Sequence, residues 1–205
     1  MVRRLGAVIA VVSLLVLAGC SKTPATVTPP SSATSGSLGD GGSTPSASAS
    51  PSPTVNPADI VEFSVDGAGP YQIGDKISDL QSQLTNAGAD PNCPNNQTAQ
   101  GTGTWSDVHL FFHQDGTLFA LTNSSTAIPT PSGAYLGTSL TQLKTIYART
   151  TNELLNHGAN NAFLVITSSG RAIRFDLTPV QTVVLMTSGD VVLLRSAFVN
   201  GTPLC

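Results

Sequence analysis

The sequence contains few charged and few aromatic residues. Charged residues make up 10% of the 205 residues, aromatic residues make up 5%, and only nine residues are lysine or arginine. With a net charge of −3, the chain has no basic footprint, so its composition excludes a nucleic-acid partner. Its N-terminal apolar run covers residues 5–17, which is shorter than the roughly 20 residues of a membrane span, and a polytopic membrane protein is therefore excluded.

Motifs of the common enzyme classes are also missing. The chain has no Gly-x-Ser-x-Gly elbow, no phosphate-binding loop, no CxxC and no HExxH. The acidic residues are scattered and are not paired as a glycosidase would need. We therefore expect a protein that is not an enzyme and has no catalytic residue, cofactor or metal ion.

The first twenty residues have the pattern of an export signal. Arg3 and Arg4 precede the apolar run 5–17, as in a signal peptide. The next residues, Leu17-Ala18-Gly19-Cys20, resemble the bacterial lipobox Leu-(Ala/Ser)-(Gly/Ala)-Cys at every position. This resemblance implies that residues 1–19 are removed and that the Cys20 thiol carries a diacylglyceryl group. The alternatives are an ordinary secretory peptide with a chance cysteine, or an uncleaved anchor helix.

A lipid on Cys20 predicts a location at the extracellular face of a bacterial cell membrane. Two acyl chains, at about 0.8 kcal/mol per buried methylene, hold a protein there essentially permanently. Residues 20–57 then comprise the lipidated cysteine and a disordered tether, because 23 of the 37 residues in 21–57 are Ser, Thr or Pro. Its span ranges from about 35 Å as a coil to about 110 Å fully extended. Glycosylation of this tether stays open.

The remaining cysteines are Cys93 and Cys205. An even pair in an exported domain predicts one disulfide, with two free thiols as the alternative. The bond would join the C-terminus to the Pro- and Asn-rich segment 90–96. Closing so long a loop is worth about 4–5 kcal/mol of chain entropy. Neither cysteine is expected to be catalytic, since Cys93 has no neighbouring His or Lys to lower its pKa.

The predicted globular part, residues 58–205, contains two similar segments. Residues 69–84 and 133–147 share the frame Gly-x-Tyr…(Ile/Leu)-Gly-x-x-(Ile/Leu)-x-x-Leu, with a one-residue gap. Each has apolar residues spaced i, i+3, i+7 along one helical face: Ile77, Leu80 and Leu84 in the first, and Leu140, Leu143 and Tyr147 in the second. Asp75, and Thr138 or Ser139, are the expected N-caps.

Apolar runs that flank turn signals predict the strands. We expect strands at 62–65, 108–113, 117–122, 162–167, 171–177, 182–187 and 191–194, with Ser188-Gly189-Asp190 as the last turn. The fold class is therefore α+β: an antiparallel sheet of about six or seven strands with two short helices on one face. We interpret it as two tandem helix–hairpin repeats, 69–125 and 133–187; a coincidence of two helix starts is the alternative.

The Gly-x-(Ser/Thr)-x-x-x-Leu helix start followed by a hairpin resembles exported bacterial lipoproteins of the helix-then-sheet kind. Small outer-membrane assembly lipoproteins have this unit once, and tandem beta-lactamase-inhibitor-like proteins have it twice. The lipobox, linker and composition also resemble actinobacterial lipoproteins. The helix-then-sheet resemblance implies a non-enzymatic, protein-binding module, and it transfers no partner-contacting residue to this chain.

Two of the histidines, His109 and His113, are candidate metal ligands. Asp107, His109, Phe111 and His113 share one face of the predicted strand, because all four are odd-numbered. Along a strand, however, His109 and His113 lie about 13 Å apart, which is too far to share one ion. We therefore expect both histidines to face solvent.

Two other side chains have alternative interpretations. His157 is expected at the end of a short helix, 153–157, where it would favour the negative end of the helix dipole. Trp105, the only tryptophan, is expected in the core or at a sheet edge, with a ligand-stacking platform as the alternative.

Three functions fit the sequence. The first is a membrane-anchored lipoprotein whose non-catalytic domain binds an unidentified protein, peptide or envelope component. The second is a small-molecule carrier or sensor with an apolar pocket between sheet and helices. The third is a hydrolase built on His and Asp.

Replacing Cys20 by Ser tests the lipid anchor. The hydroxyl cannot form the thioether, so we expect the variant to leave the membrane fraction and to incorporate no radiolabelled palmitate. The wild-type chain should sediment with membranes and carry the label. A Cys20→Ser chain that still sediments with membranes would contradict the prediction.

Overall fold

The computed structural model describes residues 61–205. The predicted signal peptide, Cys20, the tether and residues 58–60 lie outside the described residues. The described part falls within one compact unit, Pro51–Cys205.

Residues 61–205 form ten strands and three α-helices. In chain order they are β1 (Gly67–Ala68), β2 (Tyr71–Gln72), α1 (Ile77–Leu80), β3 (Leu84–Ala89), β4 (Gln97–Gly101), β5 (Val108–Phe112), β6 (Leu118–Asn123), α2 (Leu140–Ile146), β7 (Thr151–His157), β8 (Asn160–Ile166), β9 (Arg171–Leu177), β10 (Val183–Asp190) and α3 (Val191–Asn200). Short 3-10 turns cover Gln81–Gln83 and Gly103–Trp105.

Eight strands form one antiparallel sheet in the order β3-β4-β5-β6-β10-β9-β8-β7, and β1 and β2 form a separate hairpin. The order shows two four-strand units, and each is a meander that follows a helix. The first unit comprises β3–β6 after α1, and the second comprises β7–β10 after α2. The units join where β6 pairs with β10. Two predicted hairpins are confirmed, since β5 pairs with β6 and β8 pairs with β9.

Equivalent backbone contacts recur in the two units. The amides of Gly74 and Gly137 each donate a 2.8 Å bond to the first residue of their unit's fourth strand, Leu118 and Val183. Isolated bridges Lys76–Thr117 and Ser139–Thr182 follow in the same relation. Each helix start is therefore fixed to the last strand of its own unit. The two units therefore share this arrangement of helix start and fourth strand.

The sheet has two buried faces. We call front the face that carries Leu110, Leu121, Phe163, Phe175 and Met186, which belong to one hydrophobic cluster with Leu80 of α1 and Leu143 of α2. We call rear the opposite face, where Leu155, Ala162, Leu164 and Ala172 pack with Leu194 of α3. Because both faces of β8 and β9 are covered, these strands are nearly continuous runs of buried residues.

The antiparallel sheet with two helices on its front face follows the prediction, but the element count differs. The sheet has eight strands instead of six or seven, and a third helix covers the rear. Residues 191–194, predicted as a strand, begin α3, and Ser188-Gly189-Asp190 ends β10 instead of forming a turn. The valine pair at 191–192 favoured a strand, but the Asp190 carboxylate accepts from the amides of Val192 and Leu193 and starts a helix.

Three local predictions are also corrected. The 62–65 segment contributes only an isolated bridge, Phe63 to Ala68, and is not an edge strand. Residues 153–157 lie in β7 and are not helical, because they pair along their whole length with β8. The cap of α1 is Lys76, without a side-chain bond, whereas Ser139 caps α2 through the predicted contact and forms a capping box with Gln142.

Equivalent glycines of the two units supply a matched stability test. A Cβ at Gly69 would lie 2.1 Å from the Trp105 ring, while a Cβ at Gly133 would meet nothing within 4 Å. Both have positive φ, +53° and +82°, so alanine at either position costs about 1–2 kcal/mol of backbone strain. We expect Gly69→Ala to lower the free energy of unfolding by about 1–3 kcal/mol more than Gly133→Ala, because only the former overpacks the core.

Urea unfolding followed by fluorescence of Trp105, the only tryptophan, measures this difference. If the free energy of unfolding falls equally in the two variants, Trp105 does not pack against Gly69 as described.

Candidate ligand-binding groove

The rear face carries an open groove of about 460 Å³ between the sheet, α3 and residues 201–204. It is larger than the hollow of about 330 Å³ around Arg171 and the hollow of about 290 Å³ beside α2. Its apolar lining comprises Phe111, Leu185, Ala197, Phe198, Pro203 and Leu204. Its polar lining comprises Thr122, His157, Asn160, Arg174 and Thr202. We call this feature the rear groove.

Helix α3 forms one wall of the rear groove. It begins at the Asp190 cap and ends at Gly201, whose φ of +62° is the left-handed conformation typical of a glycine after a helix. The Thr202 amide then donates to the Ala197 carbonyl at 2.9 Å. These two caps fix where the helix stops and where the C-terminal residues start.

A buried ion pair lies at the base of the rear groove. The Arg174 guanidinium donates from Nε and Nη2 to the two carboxylate oxygens of Asp176, at 2.7 and 3.0 Å. Its Nη1 donates to the Leu194 carbonyl at 3.2 Å, and its Cζ lies 5.3 Å from the centre of the Phe198 ring. The pair therefore fastens α3 to β9.

Burial and the ion pair shift the pKa of Asp176 in opposite directions. Its side chain is 20% exposed and that of Arg174 is 10% exposed. Burial raises the pKa of Asp176 above its usual value, and the charge and hydrogen bonds of Arg174 offset part of that rise. All three guanidinium nitrogens are engaged, so the groove presents no unpaired charge from this pair to a ligand.

A disulfide follows directly after residues 201–204, which line the rear groove. The sulfur atoms of Cys93 and Cys205 are 1.91 Å apart and their Cα atoms are 5.7 Å apart. Leu204 beside it packs against the rear cluster with Leu164 and Leu194. The last five residues of the chain thus connect α3, on the second unit, to the β3–β4 loop of the first unit.

The structure brings only one predicted candidate side chain to the rear groove. His157 lines it, and its Nδ1 donates to the Val199 carbonyl at 2.8 Å. This carbonyl belongs to the last turn of α3, so His157 does lie at a helix C-terminus, but of a different helix from the one predicted. His109 is exposed on β5, and His113 follows β5 and stacks on Phe119 with ring centres 4.2 Å apart.

Trp105 belongs to the front core. It is 8% exposed and contacts Tyr71 edge-on, with ring centres 6.4 Å apart. This burial supports the core interpretation over the ligand-stacking platform.

Sequence reasoning missed most of the groove because it missed α3. A signal was present: Asp190 and Gly201 bracket ten residues, the arrangement of an N-cap and a left-handed C-terminal glycine. Arg174 and Asp176, two residues apart in an apolar strand, also share one face, and a buried charge requires a partner.

Residues 61–205 contain neither a membrane-spanning helix nor a metal-ion cluster. None of the helices there is long and apolar enough to cross a bilayer. No cluster of three or more His, Cys, Asp or Glu side chains suited to a metal ion occurs in that part of the chain.

This chain has limited similarity to known proteins. No protein-family model matches the chain, and no curated protein matches it. One similar solved structure is an extracellular protein containing an SCP domain from Bacillus anthracis, at 10% identity and a TM-score of 0.41, with 60% of this chain and 46% of that chain covered. This chain thus spans less than half of that protein. Another is the uncharacterized protein yfeY from Escherichia coli, at 14% identity and a TM-score of 0.44, with 62% and 99% covered.

Proposed function

We propose that this protein is a lipid-anchored binding protein of the cell envelope and that its ligand occupies the rear groove. The observation that carries the proposal is an open, mainly apolar groove of about 460 Å³ whose buried charges are already paired within the domain. Ligand sites are typically concave and apolar, with a few polar groups that orient the ligand. The anchor itself rests on the lipobox at Cys20 and the tether that follows it.

The lining chemistry favours binding over catalysis. His157 donates to a backbone carbonyl, and Arg174 is held by Asp176 and by the Leu194 carbonyl. A nucleophile needs an adjacent base, and in the described structure neither groove threonine, Thr122 or Thr202, hydrogen-bonds its hydroxyl to a histidine or a carboxylate. Both described cysteines are joined in the disulfide.

The shape and charge of the rear groove indicate the ligand class. It is open to solvent along one side, which suits an apolar segment of a larger protein or peptide. Since Arg174 is neutralised by Asp176, a charged group would find no unpaired partner there and would lose hydration on entry. We therefore propose an envelope protein or peptide that inserts apolar side chains between β10 and α3. A small apolar molecule is the second candidate, and the groove volume favours it.

Capture from the bacterial envelope tests this proposal. The full chain should enrich a partner, and Leu185→Arg should abolish the enrichment because it places a charge in the middle of the apolar lining. Val180→Arg is the matched control, since Val180 is 79% exposed and lies outside the lining. Thermal unfolding of both variants establishes that they remain folded.

The outcomes separate the candidates. Enrichment of one protein or peptide by wild type and Val180→Arg, but not by Leu185→Arg, supports the proposal. A small molecule that co-purifies in native mass spectrometry and is lost in Leu185→Arg would support the second candidate instead. Equal capture by all three chains would contradict a site in the rear groove.

A further inference from the structure

The two edge strands of the main sheet differ in regularity. At one edge, β3 pairs with β4 through two residues on each side of a register shift, and Asn86 within the shift has a φ of +54°. At the other edge, all seven residues of β7 pair with β8 without interruption. An irregular edge resists pairing with another chain, whereas a straight edge offers a row of free amides and carbonyls.

Strand β7 also lacks the side chains that usually protect an edge. Its sequence, Thr-Asn-Glu-Leu-Leu-Asn-His, contains no lysine and no proline. Its ionisable side chains, Glu153 and His157, are both held by α3, one by the Arg195 guanidinium and the other by the Val199 carbonyl. At the centre of the strand, Leu154 is 44% exposed. The edge is therefore apolar at its midpoint and carries no unengaged charge.

We propose that β7 pairs antiparallel with β7 of a second copy of this chain, with the two-fold axis at Leu154, so that the two sheets become one. Identical strands related by a two-fold axis form a closed, self-complementary interface. The proposal does not depend on the rear groove or on its ligand.

The side chains of β7 select this register. With the axis at Leu154, the exposed leucine faces its own copy, Asn152 faces Asn156, and Glu153 faces Leu155. Facing side chains on neighbouring strands are the unit of sheet stabilisation, and like charges that face each other are unfavourable. An axis at Glu153 would oppose two carboxylates. An axis at Leu155 would gain little, because Leu155 is already 93% buried under α3 and Leu154 would face an asparagine.

Cysteine cross-linking in cells that express the full chain tests the axis directly. Facing Cα atoms of an antiparallel pair lie about 4.5–5.5 Å apart, which is within the reach of a disulfide. Leu154→Cys should therefore form a covalent dimer of twice the chain mass on oxidation with copper phenanthroline. Val192→Cys is the control: at 65% exposure it is more accessible than Leu154 but lies on α3, away from the axis.

A second variant removes the interface without introducing a thiol. Leu154→Lys places two like charges at the axis, so sedimentation of the detergent-solubilised full chain should show a concentration-dependent dimer for wild type and Val192→Lys, and a monomer for Leu154→Lys. Because Leu154 is an exposed edge residue, the Leu154→Lys variant should unfold at the midpoint that wild type shows when it is diluted to the monomer, since only the dimer adds stability. Cross-linking of Leu154→Cys no stronger than that of Val192→Cys, cross-linking to a different protein, or a wild-type monomer at every concentration would overturn the proposal.

Discussion

The pairing of β6 with β10 is the contact on which the other features depend. It aligns Ala120, Leu121, Thr122 and Asn123 with the residues Gly189 to Met186 and joins two four-strand units into one sheet. The front core crosses this junction, since Leu121 and Met186 belong to one cluster. So does the rear groove, which takes Phe111 and Thr122 from the first unit and Arg174 and Leu185 from the second.

The two units share the arrangement of a helix followed by four strands, but they differ in what covers their rear faces. In each, a glycine before the helix bonds to the start of the fourth strand, which sets the helix across the front face. Only the second unit is followed by a further helix, and α3 lies on its rear. The C-terminal residues then cross to Cys93 in the first unit and add a covalent connection to the one made by the sheet. The groove is the space that this asymmetric covering leaves open.

Local signals predicted the local structure well. The hairpins with Gly116 and Gly170 at their turns, the N-cap at Ser139, which was one of two expected residues, and the burial of Tyr147 all follow from patterns within a few residues. Strands β3, β4 and β7 were not predicted, because they contain many Thr, Asn, Gln and Gly and lack the apolar alternation of a half-buried strand. Their strand conformation comes from pairing with neighbouring strands, β3 with β4, β4 with β5 and β7 with β8.

The candidate site could not be predicted because it is formed by distant segments. Phe111, Arg174 and Leu204 are far apart in the sequence, and only the strand order brings them to one groove. The strand order in turn requires knowing that β6 lies beside β10, and no local pattern specifies the partner of a strand's second edge. The proposed lipid anchor, by contrast, can be predicted locally, because the lipobox at Cys20 is complete in four consecutive residues.

Native-state hydrogen exchange of the full chain tests the central claim most directly, because it reports which strands open together. If the β6–β10 pair holds both units in one cooperative sheet, the hydrogen-bonded amides of β6 and β10 will be among the slowest to exchange. They will share one free energy of opening, equal to that of global unfolding. Exchange of β5 and β6 at a much lower free energy than β9 and β10 would show that the units open separately, and would contradict the account.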